Sequence, residues 1–481
     1  MSDRDLLALS RKGPVHFMGI GGAGMCSLAE ALVRSGGEVT GCDLRTGPVT
    51  ERLEALGARV ERGHDPAHLE GVVALVTTSA IPSNHAELAR ARELGIPVLK
   101  RAQALGDLVN GGTVVAVAGT HGKTTTTAML TEILVACGRD PTGLVGGPVV
   151  AWQGNLRFGA SDLFVVEADE FDRSFHTLEP DVAVLTNVEA DHLDVYGDLE
   201  GVRQGFRDFL AKVDPDGRVL VCGDDVGASR MLPAAPVPAT TYGLSAGCQL
   251  RGVDVVAGPG GTRCQVLEEG RDRGRIEVPI PGQYNLRNAL GAAAAARALD
   301  APWDAIREGL SAFQGVHRRF QVLGEVGGVT VVDDYAHHPT EVAAILEALL
   351  VVYPGRRVVA VFQPHLFTRT RDFAGDFGRA LARADVVWVT DIYPARESPI
   401  PGVTGELVVG EVRKARGEED PVRYHPLLEG LAAAVAGDVR PGDVVVTLGA
   451  GSIEALGPEV VRRLGGAHEA GAVHAPGGSH E

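Results

Sequence analysis

The stretch from Thr113 to Leu130, TVVAVAGTHGKTTTTAML, constrains the fold more than any other part of the chain. The apolar run Val114 to Ala118 reads as a buried parallel strand. A turn with Gly119 and Gly122 follows, then Lys123 and four threonines that open a helix. That order suits a nucleoside triphosphate. Glycines let backbone N–H groups approach phosphate oxygens, and the helix N-terminus adds a favourable dipole. Lys123 can meet the β/γ-phosphate charge, and the Thr124 hydroxyl can sit on Mg²⁺. The spacing is GxxGKT, because Val117 stands where the common GxxxxGK[ST] loop has its first glycine. A plain strand–helix turn with a surface lysine is the weaker reading, since every part falls in the order that phosphate binding demands.

A chain of 481 residues has room for two to four domains. Its 45 basic and 62 acidic residues leave a net charge of −17, which argues against a nucleic-acid or anionic-membrane surface. Anionic substrates remain possible, because local Lys, Arg, glycine loops and metal can bind them. No 18-residue apolar span occurs, and MSDRDLLALSRKG lacks a signal-peptide core, so a cytoplasmic protein is expected. The six cysteines form no CxxC pair, which predicts neither a zinc knuckle nor a disulfide framework.

Alternating short apolar runs and Ala/Leu-rich helices predict an α/β fold of three domains in series. Residues 1–110 read as a Rossmann-like domain. Residues 111–319 read as a P-loop ATPase-type domain with a parallel sheet and a small antiparallel part, placed between about Thr241 and Pro281. Residues 320–465 read as a second Rossmann-like α/β domain. Residues 466–481 read as a disordered tail.

Four further constellations carry chemistry. Gly19, Gly21 and Gly24 match GxGxxG between a strand and a helix, and Asp43 closes the next strand. This is a fingerprint for a diphosphate-containing nucleotide, with NAD and other nucleotide diphosphates both open. Glu167 ends the strand LFVVE and is placed to hold Mg²⁺, whereas a solvated loop is at least as good a reading of Asp169, Glu170 and Asp172. In TNVEADHLD, His192 sits among carboxylates at another strand end and is a candidate metal or substrate ligand. In the last block YAHHPTE, QPHLFTRTRD and DIYPARE follow three strands, and their His and Arg residues suit an anionic or amino-acid substrate.

GIGGAGM, GTHGKTTT, EADE, TNVEADHLD, YAHHPTE, QPH and DIYPARE occur in this order between about residues 13 and 460. In this the chain resembles the Mur ligases. The resemblance implies a reaction in peptidoglycan precursor synthesis. ATP phosphorylates the carboxylate of UDP-N-acetylmuramic acid, and L-alanine attacks the acyl phosphate to give amide, ADP and phosphate. It implies UDP-N-acetylmuramic acid and L-alanine as substrates, ATP with Mg²⁺ or Mn²⁺, no nucleic-acid or membrane partner, and a monomer or weak homodimer. It also implies residue roles. Gly119, Thr120, His121, Gly122, Lys123, Thr124 and Thr125 would cradle ATP phosphates, with Asn285, Asn288, Arg318 and Asp334 completing the nucleotide site. Thr124, Glu167 and His192 would hold metal; Lys123, His121, Glu167 and His192 would be catalytic. Gly19, Gly21, Gly22, Gly24, Met25, Asp43 and Ser79 would bind the UDP-substrate, and His338, His365 and Arg369 would receive alanine and the acyl group. Three readings compete: a ligase for recycled tripeptide, a nicotinamide-dependent oxidoreductase resting on Asp43, and a non-catalytic nucleotide sensor. The last two leave the second loop or the polar strand ends unexplained.

Overall fold

The computed structural model describes residues 6–78, 81–417 and 421–472, the last seven by their backbone alone. The chain divides into two compact units: Met1–Val255 with Arg263–Pro279 and Asn285–Val316, and His317–Glu481 with Val256–Thr262 and Ile280–Tyr284. Among the described residues no helix is long and apolar enough to cross a membrane.

Short runs of Val, Ala and Leu bounded by glycine form the strands, because such runs can be covered on both faces only inside a parallel sheet. The first sheet contains β1 (Val15–Met18), β2 (Val39–Asp43), β3 (Arg59–Arg62), β4 (Ala74–Thr77) and β5 (Val98–Lys100). Its order is β3-β2-β1-β4-β5, and every neighbour is parallel. The direction of winding reverses at β1. A crevice therefore opens beyond the carboxyl end of β1, the place where open α/β sheets bind ligands.

The second sheet has ten strands: β6 (Thr113–Ala118), β7 (Thr142–Val149), β8 (Gly154–Arg157), β9 (Leu163–Ala168), β10 (Val182–Leu185), β11 (Arg218–Cys222), β12 (Ala239–Gly243), β13 (Leu250–Gly258), β14 (Gly261–Glu268) and β15 (Arg271–Val278). They run in the order β15-β14-β13-β12-β11-β10-β6-β9-β7-β8. β6 lies between β10 and β9 and is parallel to both, with Ala118 level with Leu185 on one side and Ala168 on the other. The register puts the carboxyl ends of all three strands at one edge. The antiparallel part begins later than the sequence suggests. Thr241 and Tyr242 belong to β12, which runs parallel to β11, and β12 is also parallel to β13. In this sheet β13, β14 and β15 are joined by two-residue turns, a length that only antiparallel neighbours allow; at Glu269 and Gly270 both φ values are positive, 50° and 77°.

The alanine-rich helix Gln283–Ala298 packs as closely as its composition predicts, with Ala292, Ala293, Ala295 and Ala296 fully buried. Gly291 is needed in it, because a Cβ there would come 2.9 Å from the ring of Tyr242. The Tyr242 hydroxyl in turn donates to the Leu185 carbonyl at 3.2 Å, so this helix is fitted against the end of β10.

The third sheet comprises β16 (Gln321–Val326), β17 (Val329–Asp334), β18 (Val358–Phe362), β19 (Val386–Val389), β20 (Val422–Tyr424) and β21 (Val444–Leu448), ordered β16-β17-β21-β18-β19-β20. All pairs are parallel except β16 with β17. The edge strands β16 and β20 carry little apolar signal and were not legible in the sequence. The last helix, Leu456–Ala472, takes in residues 466–472 of the stretch read as a tail, and 473–481 lie outside the described residues.

Candidate active site

The phosphate loop leaves β6 at Gly119 and enters the helix Lys123–Ala136. Two glycines make this turn possible. Gly119 has φ 139°, and a Cβ there would lie 2.0 Å from Thr186 Oγ1; Gly122 has φ 82°, and a Cβ would lie 2.4 Å from Asn288 Oδ1. The end of β10 braces the loop from below. Thr186 Oγ1–H donates to the His121 carbonyl at 2.7 Å. The Asn187 amide accepts the His121 N–H at 2.7 Å and donates to the same carbonyl at 3.0 Å. Thr120 Oγ1 accepts the Glu189 N–H at 2.9 Å. His121 Nε2 stands 3.6 Å from Glu189 Oε2. Thr124 and Thr125 are buried in the first helical turn.

Lys123 is held by the loop and by one carboxylate. Its Nζ donates to Gly119 O at 2.7 Å, Thr120 O at 3.2 Å, and Glu170 at 2.7 and 3.0 Å. Burial is the largest influence on the ammonium and opposes its charge, but Glu170, Asp169 and Glu167 outweigh it and raise its pKa. Burial pushes Glu170 up to about 7 against the pull of Lys123. Glu170 is 2% exposed, so the solvated-loop reading of this residue is wrong. Asp169 and Asp172 instead pair with Arg101 (3.4 Å) and Lys100 (2.9 Å).

Thr124 and Glu167 come together as expected from their strand ends. Thr124 Oγ1–H donates to Glu167 Oε2 at 2.8 Å, and the Gly146 N–H donates to the same oxygen at 2.6 Å. Two oxygen donors at the mouth of a phosphate loop fit a hard cation such as Mg²⁺. His192 has φ 51°, and its Nε2 stands 3.9 Å from Glu170 Oε1 and 3.9 Å from Asp191 Oδ2. Asn285 and Asn288 are both buried in the first turns of their helix, and Asn288 faces Gly122.

The first glycine loop is built in the same way. Gly19 has φ 75°, and the N–H groups of Gly19 and Ile20 donate to Cys42 O at 2.8 and 3.1 Å. Asp43 Oδ2 accepts the Gly21 N–H at 3.0 Å and Oδ1 accepts the Arg45 N–H at 3.1 Å, so its carboxylate braces the loop. Gly22 caps the helix Ala23–Arg34. Arg101, not identified from the sequence, covers Gly24 so closely that a Cβ there would meet its Nη1 at 2.9 Å. Met25 is a correction. Its side chain is 1% exposed, because it falls on the buried face of that helix and joins the core of the first sheet. Ser79 lies outside the described residues. An open cleft runs from Gly24, Ser27 and Arg101 to Gly146, Glu167 and Asp169. One cleft thus reaches from Gly24 of the first glycine loop to Glu167, the acceptor of the Thr124 hydroxyl.

In the second unit the predicted residues sit at the carboxyl ends of β17 and β18. Arg318 donates to Asp333 Oδ2 and Gly449 O, each at 2.7 Å, and Asp334 accepts the N–H groups of Phe320 (2.7 Å) and Ala336 (2.8 Å). These two residues use their polar groups to brace the turns around β17, a structural role that the sequence reading did not include. Arg319 pairs with Glu341 at 3.2 Å, and both guanidinium groups stack on the Tyr335 ring. His338 caps the helix Pro339–Val352 and is 4% exposed. His365 Nδ1 lies 3.2 Å from Arg369 Nη1, and its ring stacks on Tyr393.

Three family models match the chain in series: "Mur ligase family, catalytic domain" over residues 14–113, "Mur ligase middle domain" over 117–296, and "Mur ligase, glutamate ligase domain" over 318–451. The UDP-N-acetylmuramate–L-alanine ligase of Rubrobacter xylanophilus is 46% identical over 452 residues, covering 94% of this chain and 100% of that protein. The protein of the same description from Burkholderia ambifaria is 42% identical over 456 residues, covering 94% of this chain and 98% of that one. Among solved structures, the UDP-N-acetylmuramate–alanine ligase of Thermotoga maritima superposes with a TM-score of 0.80 at 27% identity, covering 95% of this chain and 100% of that chain.

Proposed function

The chain belongs to the Mur ligase family, and from that premise we propose that it joins L-alanine to the lactyl carboxylate of UDP-N-acetylmuramic acid at the expense of ATP. One observation carries the reading. A cleft runs from Gly24, the last glycine of the diphosphate-type loop, to Glu167, which accepts the Thr124 hydroxyl beside a phosphate loop whose lysine is already charged and held. A kinase-like site alone would not need the first loop, and a dinucleotide site alone would not need the second.

The turn Gly19–Gly24, whose glycines leave room for close approach, receives the diphosphate of the UDP-sugar, with Arg101 as a cation at the loop. Gly119 to Thr125 take the phosphates of ATP, and Asn285 and Asn288 line the base side. Lys123 carries positive charge to the γ-phosphoryl group while it passes to the sugar carboxylate, where charge stabilisation does most of the catalytic work. The acyl phosphate then accepts the amine of alanine, the C–N bond forms, the amine loses its proton, and inorganic phosphate leaves. His121, with Nε2 3.6 Å from Glu189 Oε2, is the group we assign to hold or move that proton. Thr124 and Glu167, with His192, would hold Mg²⁺, which would neutralise phosphate charge. In the second unit, His338, His365 and Arg369 receive the amino acid, Arg369 supplying a guanidinium for its carboxylate.

The test is product identification by mass after incubation with ATP, UDP-N-acetylmuramic acid and mixed amino acids. The expected product is the alanyl amide, with one ADP per amide. A tripeptide adduct, hydride transfer without ADP, or ADP-free nucleotide binding would each replace this reading with another.

A further inference from the structure

Six metal-binding side chains converge in the first sheet, and none of them belongs to the ligase chemistry. His16 comes from β1, Cys42 from β2, His64 and His68 from the segment after β3, and His85 and Glu87 from the start of the helix Ala86–Leu94. His16 Nε2 lies 3.4 Å from Cys42 Sγ, Cys42 Sγ lies 3.4 Å from Glu87 Oε1, and His68 Nδ1 lies 3.2 Å from Glu87 Oε1. The ligand atoms of these four residues all fall within 4.8 Å of one another. Around a tetrahedral Zn²⁺ with Zn–N near 2.0 Å and Zn–S near 2.3 Å, ligand atoms stand about 3.3–3.6 Å apart. The three spacings through Cys42 and Glu87, 3.2–3.4 Å, are close to the edges of that tetrahedron.

Two independent features point to a cation. Glu87 is 0% exposed, and its contacts are Cys42, the Asp65 N–H, and the imidazoles of His64 (3.1 Å), His68 (3.2 Å) and His85 (3.8 Å). None of these five is a permanent cation, and a buried carboxylate is costly without one. His16, for its part, is oriented as a ligand. Its Nδ1 meets Thr40 Oγ1 at 2.9 Å, which turns Nε2 toward Cys42, the kind of outer hydrogen bond that sets a metal-bound imidazole. Burial also lowers its pKa to about 4, so the ring is neutral.

We propose that His16 Nε2, Cys42 Sγ, His68 Nδ1 and Glu87 Oε1 form a closed, structural Zn²⁺ site, with His64 and His85 on the second oxygen of Glu87. Mixed N, S and O ligands without an open position suit Zn²⁺ better than Mg²⁺ or Ca²⁺. Binding converts the Cys42 thiol to thiolate and releases its proton. The side chains of His64, His68 and His85 are 14%, 17% and 22% exposed, which gives the ion a way in. The site ties β1, β2 and a helix together at the strand end whose Cys42 carbonyl holds Gly19 and Ile20. It therefore firms the first glycine loop.

The experiment uses the full chain, stripped with chelator and kept in excess Mg²⁺ so that the Thr124–Glu167 site is not free. Zn²⁺ should bind at one equivalent with release of about one proton and should raise the melting temperature. Co²⁺ should give tetrahedral visible absorption with a thiolate charge-transfer band, and Cys42→Ser should abolish that band. His68→Ala, at a partly exposed position, should fold in metal-free buffer, yet bind Zn²⁺ at least tenfold more weakly and lose the thermal shift. A cobalt complex with no thiolate band in the parent chain, or Zn²⁺ affinity unchanged in both His68→Ala and Cys42→Ser, would overturn the site.

Discussion

Gly119→Ala tests whether the phosphate loop is positioned by the end of β10. The new methyl would stand 2.0 Å from Thr186 Oγ1 and 3.0 Å from the backbone N and O of Asn187. A carbon needs about 3.3 Å from an oxygen, so the loop and the strand end must part by about 1 Å. Rotating Thr186 does not solve the problem, because Asn187 presents backbone and Thr186 Oγ1 is bonded to His121 O at 2.7 Å. The φ of 139° adds strain for any residue with a Cβ. Strain and overpacking together cost roughly 2–6 kcal/mol if the loop stays in place. If it moves instead, a shift of ~1 Å costs on the order of 100-fold in rate. The assay is ADP release with UDP-N-acetylmuramic acid and L-alanine, run beside thermal unfolding. Gly147→Ala is the control, because its methyl would meet Thr124 Cγ2 at 3.5 Å and Val316 Cγ1 at 3.6 Å, which is ordinary contact. A Gly119→Ala protein that kept its melting temperature and stayed within about threefold of the parent rate would refute the argument.

Glu167→Gln should shift the Mg²⁺ dependence of ADP release at least tenfold, since it removes the charge beside Thr124 Oγ1; an unchanged Mg²⁺ titration would take Glu167 out of the metal site. Asp43→Ala removes the acceptor for the Gly21 N–H; with a charged hydrogen bond worth about 1.5–3 kcal/mol, KM for the UDP-substrate should rise roughly 10-fold or more while KM for ATP holds, and equal loss of both would point to unfolding. Burial raises the Asp334 carboxyl from 3.8 to about 6, against Arg319 and two backbone N–H groups. Folded protein then keeps a proton that the unfolded chain has released, so this contribution to stability is full below 3.8 and is lost as pH rises through 6. The stability advantage of the parent over Asp334→Asn, read from urea midpoints, should therefore narrow between pH 4.5 and pH 7; a widening gap would reverse the sign.

Both glycine loops, Lys123, Thr124 and Glu167 were legible before any coordinates. Each is written within a dozen residues, as an apolar run followed by a turn and a helix, and such local chemistry decides backbone conformation directly. Asp43 was also legible, although its carboxylate serves the loop itself through Gly21. Met25 was misread because a motif does not say which of its side chains falls on the buried face of the helix.

Other features depended on strands far apart in the chain. β6 sits between β9 and β10, and only that order and register make Glu170 the partner of Lys123 and set Asn187 under His121. Arg101 reaches Gly24 across 77 positions, and Cys42 reaches Glu87 across 45. Short-range periodicity selects strand or helix, but it leaves open which strands become neighbours. Which distant charges and ligands meet is settled by the packing of whole sheets, where each pairing must be satisfied at the same time as all the others.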